Sequence, residues 1–429
     1  MVRETWMRPR TVALLAASLL MAAGCSSGLD KLGAAHDGGA AGTDSGGTGG
    51  TAGTSGAAGT SGSGGSAGAL LTCEGGAVVD CAGKCIDLAT SGANCGVCGH
   101  DCGGGKCDKG VCQPMVVVDN LTKPVFDVDA TELYYGDSAG NTILACPKGG
   151  CALQPKQLAQ TGALYASDAA GILMISGKNF AFVADQASHV ARPTLFVCDV
   201  EGCSPSPSYV FYGGLIVPAG SYAASGQDWY WVIGTSLSHE NCTDGTCSTG
   251  AAEIMFDFGT SLDTIALGTD GTNVYFVSPS ATTATAADAL ESCPMTGTCK
   301  PTVLYSAAHG VEATSVYGKQ IYMLLPGGQG GYPNGVIETC PTSGACTPVK
   351  FIDKQPHPTL MTVDSSGVYW FDYDPAPGGA PSQIVTCPLS GCQGGPRTLA
   401  TNQTGTLVLH TDDKFVYWAT HTQILRVAK

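Results

Sequence analysis

The cysteines are the residues of this 429-residue chain with the most to say about chemistry, and there are 21 of them. Cys25 stands alone at the end of an apolar leader. Cys73, Cys81, Cys85, Cys95, Cys98, Cys102, Cys107 and Cys112 share one short stretch. The rest form six close pairs: Cys146 and Cys151, Cys198 and Cys203, Cys242 and Cys247, Cys293 and Cys299, Cys340 and Cys346, Cys387 and Cys392. Thiols so placed can ligate a metal, pair as disulfides or carry a lipid. Cys95-x-x-Cys98 has zinc-ligand spacing, but a structural zinc site needs a full set of Cys and His ligands. No second C-x-x-C accompanies it, and no His or third cysteine recurs with the six pairs. Each pair brackets a tight turn in which Pro and Gly are common, as in Cys146-Pro147-Lys148-Gly149-Gly150-Cys151. The two sulfurs then face each other across a hairpin at disulfide distance. Closing so small a loop contributes about 2 kcal/mol in the chain-entropy model, pinning the turn locally without tying one unit to the next. For the eight clustered cysteines four disulfides are expected, and spacing does not choose their connectivity. No metal or cofactor is expected.

Two serine motifs invite a hydrolase reading. Gly64-Gly65-Ser66-Ala67-Gly68 is chance in a tract of Gly, Ser, Thr and Ala, and Gly136-Asp137-Ser138-Ala139-Gly140 falls between two strands. A nucleophile elbow needs a strand-to-helix turn, so no catalytic residue is assigned and a non-enzyme is expected. Asp129, Asp270, Asp364 and Asp412 recur in equivalent turns, where side-chain capping explains them. Neither Asp127/Asp129 nor Asp372/Asp374 completes a calcium loop.

The elements that carry these residues begin with a secretory leader: Arg3, Arg8 and Arg10, the apolar run 12–23, then Gly24-Cys25. That run falls short of the roughly 20 residues a membrane helix needs. Ala22-Ala23-Gly24-Cys25 resembles the bacterial lipoprotein signal, with Ala22 where Leu is usual. The resemblance implies a lipidated Cys25 as the mature N-terminus. Ser26, in place of a retention Asp, implies an outer-membrane lipoprotein facing the periplasm or the cell surface. The domain plan is then a signal peptide (1–24), a flexible tether (25–70), a disulfide-rich module (71–113) and a repeat domain (114–429). The tether's composition cannot bury a core, and it spans about 35 Å as a coil.

The formal net charge is −15, and losing the leader's net +2 takes it to about −17. Lys and Arg, 20 in all, are too scattered to make a nucleic-acid footprint or a site for anionic headgroups.

After Cys112 the cysteine pairs recur every 44 to 52 residues. Each unit carries an aromatic strand: Leu133-Tyr134-Tyr135, Phe180-Ala181-Phe182, Asp228-Trp229-Tyr230-Trp231, Val274-Tyr275-Phe276, Ile321-Tyr322, Val368-Tyr369-Trp370 and Val416-Tyr417-Trp418. A four-strand unit of this length is the pattern of a β-propeller blade. The fold class is therefore all-β. The last unit lacks a fourth strand, and Met115-Val116-Val117-Val118-Asp119 can supply it from the N-terminal side, closing a ring of seven. Six blades is the alternative, because the third unit is poorly patterned between Gly234 and Cys242.

Two further resemblances follow. Cys81-Ala82-Gly83-Lys84-Cys85-Ile86-Asp87, Asn94-Cys95-Gly96-Val97-Cys98-Gly99 and Cys107-Asp108-Lys109-Gly110-Val111-Cys112 resemble the cysteine-rich repeat of plant stigma-specific secreted proteins. Similar segments occur in exported proteins of myxobacteria-like organisms. This implies an extracellular stalk or interaction module. Tyr369-Trp370-Phe371-Asp372 and Tyr417-Trp418-Ala419-Thr420 resemble the YWTD class of extracellular propellers. The hairpin cysteines depart from that class, so its ligand residues do not transfer.

Propellers usually bind on the face made by the loops between second and third strands and between blades. The candidates there are Asp137, His189, Arg192, Tyr332 and Asp374 in the first set, and Lys123, Asp263, His309, Glu312 and His357 in the second. The expectation is a monomeric, lipid-anchored surface protein that binds an extracellular polysaccharide or protein, touching the membrane only through its lipid. The alternatives are a polysaccharide lyase or hydrolase with a site dispersed over several blades, and a spacer without a ligand.

Overall fold

The computed structural model describes Cys73 and residues 78–151, 155–161, 172–185, 193–203, 208–212, 222–233, 235–247, 253–257, 267–278, 289–306, 310–326, 334–373 and 381–429. The leader, Cys25 and the tether lie outside the described residues. Module and propeller belong to one compact unit, Ala69–Lys429.

The propeller has seven blades, each a meander of antiparallel strands called A to D from the centre outward. The first is Val125–Val128, Glu132–Asp137, Thr142–Pro147 and Lys156–Gln160. Five more follow in chain order, with A strands Leu173–Ser176, Tyr222–Ser225, Leu267–Thr269, Ala313–Tyr317 and Pro358–Val363. The seventh takes Val408–Thr411, Phe415–Ala419 and Ile424–Ala428 from the C-terminal end and Met115–Val118 from the N-terminal side. Each A strand adjoins the next, and the seventh adjoins the first. The six-bladed alternative fails at the third unit, where Ser236–Thr243 pairs with both Asp228–Ile233 and Glu253–Asp257. Leu237, Ser238 and Glu240 are buried in that strand.

Period-two alternation explains the paired aromatics. Among the described residues the buried side chains fall into seven clusters, one per seam between blades. Tyr417 packs toward Leu133 and Tyr135 of blade 1, while its neighbour Trp418 packs back on Tyr369 and Phe371 of blade 6. Tyr369 and Trp370 likewise serve opposite seams. One strand therefore glues two neighbours, and truncating a fully buried Trp370 or Trp418 would cost about 3–5 kcal/mol.

The A–B turns are of two kinds. Blades 2, 3 and 5 use two-residue hairpins opened by Gly177, Gly226 and Gly318, at φ 60°, 62° and 61°. A side chain is strained there, which is why glycine stands first in such turns. Blades 1, 4, 6 and 7 use the recurring aspartates. Asp129 Oδ1 accepts the N–H groups of Thr131 and Glu132, both at 2.7 Å, and Oδ2 accepts the Tyr134 hydroxyl at 2.9 Å. Asp270 with Tyr275 (2.6 Å) and Asp412 with Tyr417 (2.9 Å) repeat this, and Ser366 links Asp364 to Tyr369. Burial together with its Asp270 partner pushes the Tyr275 phenol up to about 12.

All six hairpin pairs are disulfide-bonded, as their spacing implies. Cys146 is joined to Cys151, Cys198 to Cys203 and Cys242 to Cys247. Cys293 is joined to Cys299, Cys340 to Cys346 and Cys387 to Cys392. Two of them show how the hairpin is built. Cys242 and Cys247 stand opposite each other in a short antiparallel ladder, and both are buried. Cys392 is half-buried and packs with Leu389 against the cluster around Trp370. The covalent link is local, yet the hairpins it closes do join blades, which spacing alone did not imply. The N–H of Cys203 donates to Leu158 O, that of Cys299 to Met255 O and that of Cys346 to Leu304 O, in each case the D strand of the preceding blade. The Cys242 hairpin makes its link through Asn179 of blade 2, which donates to Cys242 O at 2.9 Å and accepts the Gly245 N–H at 2.7 Å. Replacing Cys340 and Cys346 with Ser should lower stability by about 2 kcal/mol. Amide exchange should then quicken at residue 346 and around Leu304 as well as in the hairpin.

The module's connectivity, which spacing left open, is Cys73–Cys85, Cys81–Cys98, Cys95–Cys107 and Cys102–Cys112. Cys95, Cys102 and Cys112 lie close enough together to hold a metal, but each is spent in a disulfide.

Candidate functional site

Strand direction divides the propeller into two faces. One carries the A–B and C–D turns, with the aspartates and the disulfide hairpins. The other carries the B–C and D–A connections, to which the sequence assigns the candidate ligand residues. His189, Arg192, Asp263, His309, Tyr332 and Asp374 lie outside the described residues. Lys123, Asp137, Glu312 and His357 lie within them, spread over three blades.

Asp137 ends the B strand of blade 1, and Asp372 ends that of blade 6. Asp137 Oδ1 accepts the Thr122 N–H at 2.9 Å, and Asp372 Oδ1 accepts the His357 N–H at 2.8 Å. Thr122 and His357 both sit in D–A connections. In Tyr134-Tyr135-Gly136-Asp137 and Tyr369-Trp370-Phe371-Asp372 the closing aspartate thus ties the end of the B strand to the D–A connection. Asp372 is 1% exposed and His357 7%, so both support the face from beneath. Burial pushes the His357 imidazole below its ordinary range, favouring the neutral ring, which lies tilted against Tyr373 with centroids 4.5 Å apart. Glu312 is exposed, and its N–H donates to Leu324 O. Lys123 is half-buried, and its N–H donates to His421 O of blade 7 at 2.7 Å.

The serine of the elbow-like motif is also a brace. Ser138 Oγ donates to Thr122 O at 2.5 Å, and the next element is the strand Thr142–Pro147. Without a helix behind it, the hydroxyl has none of the geometry of a nucleophile elbow. Ser138→Ala should cost no more than about 1 kcal/mol and remove no hydrolytic activity, as thermal melting and a turnover assay would show.

At the inner wall, Asp127 of blade 1 joins three blades. Its Oδ1 lies 3.2 Å from His410 Nδ1 of blade 7, and Oδ2 accepts the Ile175 N–H of blade 2 at 2.8 Å. Burial pushes this carboxyl above its usual range, against the lowering effect of His410.

The turn face is partly covered by the module. Cys95, Cys102 and Cys112 share a buried cluster with Trp418, Leu425, Val427 and Ala428. Gly103 lies against the Phe415 ring, where a Cβ would collide with the ring carbons. Arg426 is buried between the parts. Its Nη2 donates to Gly103 O at 2.5 Å, its Nη1 donates to Lys148 O of blade 1, and its guanidinium sits 4.4 Å over the Phe415 ring. Lys148 in turn pairs with Asp412 at 2.6 Å. The contacts between module and propeller were not legible in the sequence, because each joins residues far apart in the chain. The Asp-x-x-x-x-Tyr spacing of Asp129/Tyr134, Asp270/Tyr275, Asp364/Tyr369 and Asp412/Tyr417 is a signal that could have been seen.

No protein-family model and no curated protein matches the chain. Solved structures do. One from a nidogen/laminin complex is 14% identical over 70% of this chain and 99% of its own, with a TM-score of 0.40. Streptogramin B lyase is 14% identical over 73% and 96%, with a TM-score of 0.46. The β-propeller domain of the Trilobed protease from Pyrococcus furiosus, whose velcro is open, is 8% identical over 71% and 95%, with a TM-score of 0.47. Here the velcro is closed by Met115–Val118. These likenesses are of fold alone, and activity does not travel with it.

Proposed function

We propose that this chain is an exported, lipid-anchored propeller that binds an extracellular polysaccharide or protein through its B–C and D–A face. The observation that carries this reading is the docking of the module on the opposite face, over Phe415, Arg426 and Lys429. The part of that side around blade 7 is taken by an internal contact, which supports assigning the partner to the loop side. The chain's net charge of −15 favours neutral or basic ligands over anionic ones. Cys25 carries the lipid, residues 26–70 hold the folded part away from the bilayer, and the protein works as a monomer.

The test is a binding and turnover screen of the mature, disulfide-bonded protein against cell-envelope and extracellular polysaccharides. Saturable binding without product is expected. Release of shortened or unsaturated sugars would replace this reading with a dispersed-site enzyme. The anchor is tested separately by labelling cells with a tagged fatty acid, where Cys25→Ser should lose the label.

A further inference from the structure

We propose that Asn120 and Asn402 are sites of N-linked glycosylation, each taking an oligosaccharide delivered on a lipid pyrophosphate carrier. Three stretches have the Asn-x-Ser/Thr form that marks an acceptor in an exported protein. They are Asn120-Leu121-Thr122, Asn241-Cys242-Thr243 and Asn402-Gln403-Thr404. The fold presents two of them and uses up the third. The proposal rests on the export reading, and not on which propeller face binds a partner.

Asn120 and Asn402 stand at the same place in neighbouring blades. Each lies five positions after the first residue of its D strand, Met115 in blade 7 and Arg397 in blade 6, and opens a D–A connection on the loop face. Both are left-handed, at φ 57° and 59°, and both are exposed. Asparagine visits that conformation more readily than most residues, so the turn alone could account for it. Blade 5 shows that the turn does not require it. There Lys354 holds the same position, five after Val349, at φ 58°, and the sequence runs Lys354-Gln355-Pro356. Turn geometry therefore asks neither for asparagine nor for a threonine two residues later.

In both turns the middle residue is anchored and its neighbours are free. Leu121 is buried with Phe126 and Tyr417, and its N–H donates to Thr422 O at 3.0 Å. Gln403 Oε1 accepts the Trp418 indole N–H at 2.9 Å, and its amide donates to Thr401 O at 2.8 Å. Asn120, Thr122, Asn402 and Thr404 are all exposed. Among the described residues, none of their side-chain amides and hydroxyls has a hydrogen-bond partner. Asn241 is placed differently. It lies within the strand Ser236–Thr243, and its Nδ2 donates to Asp228 Oδ1 at 2.9 Å. Thr243 Oγ1 donates to Gln227 Oε1 at 3.3 Å, and Cys242 between them is closed in a disulfide. Transfer forms a bond from the asparagine Nδ2 to C1 of the leading sugar. The C1–O bond to the carrier breaks, its electron pair leaves with the lipid pyrophosphate, and one amide proton passes to a base on the transferase. A free amide with a free hydroxyl two residues on is what that step needs from the acceptor.

The experiment is peptide mass spectrometry on the full protein isolated from the cells that make it, as wild type and as Thr404→Ala. The Cys25 peptide is read in the same digest. In the wild type, the peptides holding Asn120 and Asn402 should carry the same added mass, which fragments into sugar units, and the Asn241 peptide should carry none. Thr404→Ala keeps Asn402 and changes only an exposed side chain, so the fold should stand. It should lose the added mass at Asn402 and keep it at Asn120. Bare asparagine at both positions would overturn the proposal, and the lipid on Cys25 would show whether the export reading falls with it. Sugar on Asn241, or an undiminished mass at Asn402 in Thr404→Ala, would overturn it as well.

Discussion

Asp412→Ala is expected to destabilise the propeller by about 3 kcal/mol, the loss that follows when one partner of a buried pair is removed. The side chains of Asp412 and Lys148 are only 9% and 13% exposed, so solvent screens the pair little. Asp412 Oδ1 also accepts the N–H groups of Lys414 and Phe415, and Oδ2 accepts the Tyr417 hydroxyl. The substitution therefore uncaps a turn, strands a phenol and leaves an unpaired ammonium at the closing seam. Thermal or denaturant unfolding would report it, and Asp129→Ala, which removes a turn cap without stranding a buried ammonium, should cost less.

The same carboxylates set the acid limit. Burial alone would raise Asp412, but Lys148, two N–H groups and Tyr417 outweigh it and hold the carboxyl below its ordinary range. Asp129, Asp270 and Asp364 shift the same way, against burial, through their own hydrogen bonds. A depressed folded value means stability that is present above the unfolded value and lost as pH falls through the folded one. Stability should therefore drop below about pH 4, and Asp412→Ala should flatten that limb. Asp127, shifted the other way by burial, works against this trend.

Arg426→Leu is expected to release the module. Its one hydrogen bond to the module, to Gly103 O, disappears, about 2 kcal/mol for a charged donor, while the bond to Lys148 O and the stacking on Phe415 are lost within the propeller. Gly103→Val should reach the same end from the other side, since its Cβ has no room against the Phe415 ring. In both variants proteolysis should cut near Gln113-Pro114 sooner than in the wild type, with the blades still resistant. Wild-type protection of that junction in both would show that the grip lies elsewhere.

The repeat was legible because its marks are local. The cysteine hairpins and the Tyr-Trp strands are contiguous in the chain, and neighbouring aromatics in a strand of period two say that both faces are buried. The third blade was doubtful because Ser236–Thr243 carries Ser, His, Glu and Asn where other blades carry apolar residues. It is held in the sheet by two partners, and His239 pairs with Asp228 at 2.9 Å. The site was less legible. Asp137 and His357 look like ligand groups in sequence, and only the D–A connection, which folds back from elsewhere, shows that one is a brace and the other is packed away. The module's role was hidden for the same reason. Its contacts are with residues some 300 positions later, such as His100 with Lys429, a separation of 329.

The most direct measurement is a comparison of ligand affinity between variants of the two propeller faces, using whichever polysaccharide or protein the screen returns. Lys123→Ala with Glu312→Ala alters the loop face, and Lys414→Ala with Asp413→Ala alters the exposed turn face. If the loop face is the binding face, the first pair weakens binding by about tenfold or more and the second leaves it unchanged. Weakening by the turn-face pair alone would contradict it, placing the ligand on the side where the module sits.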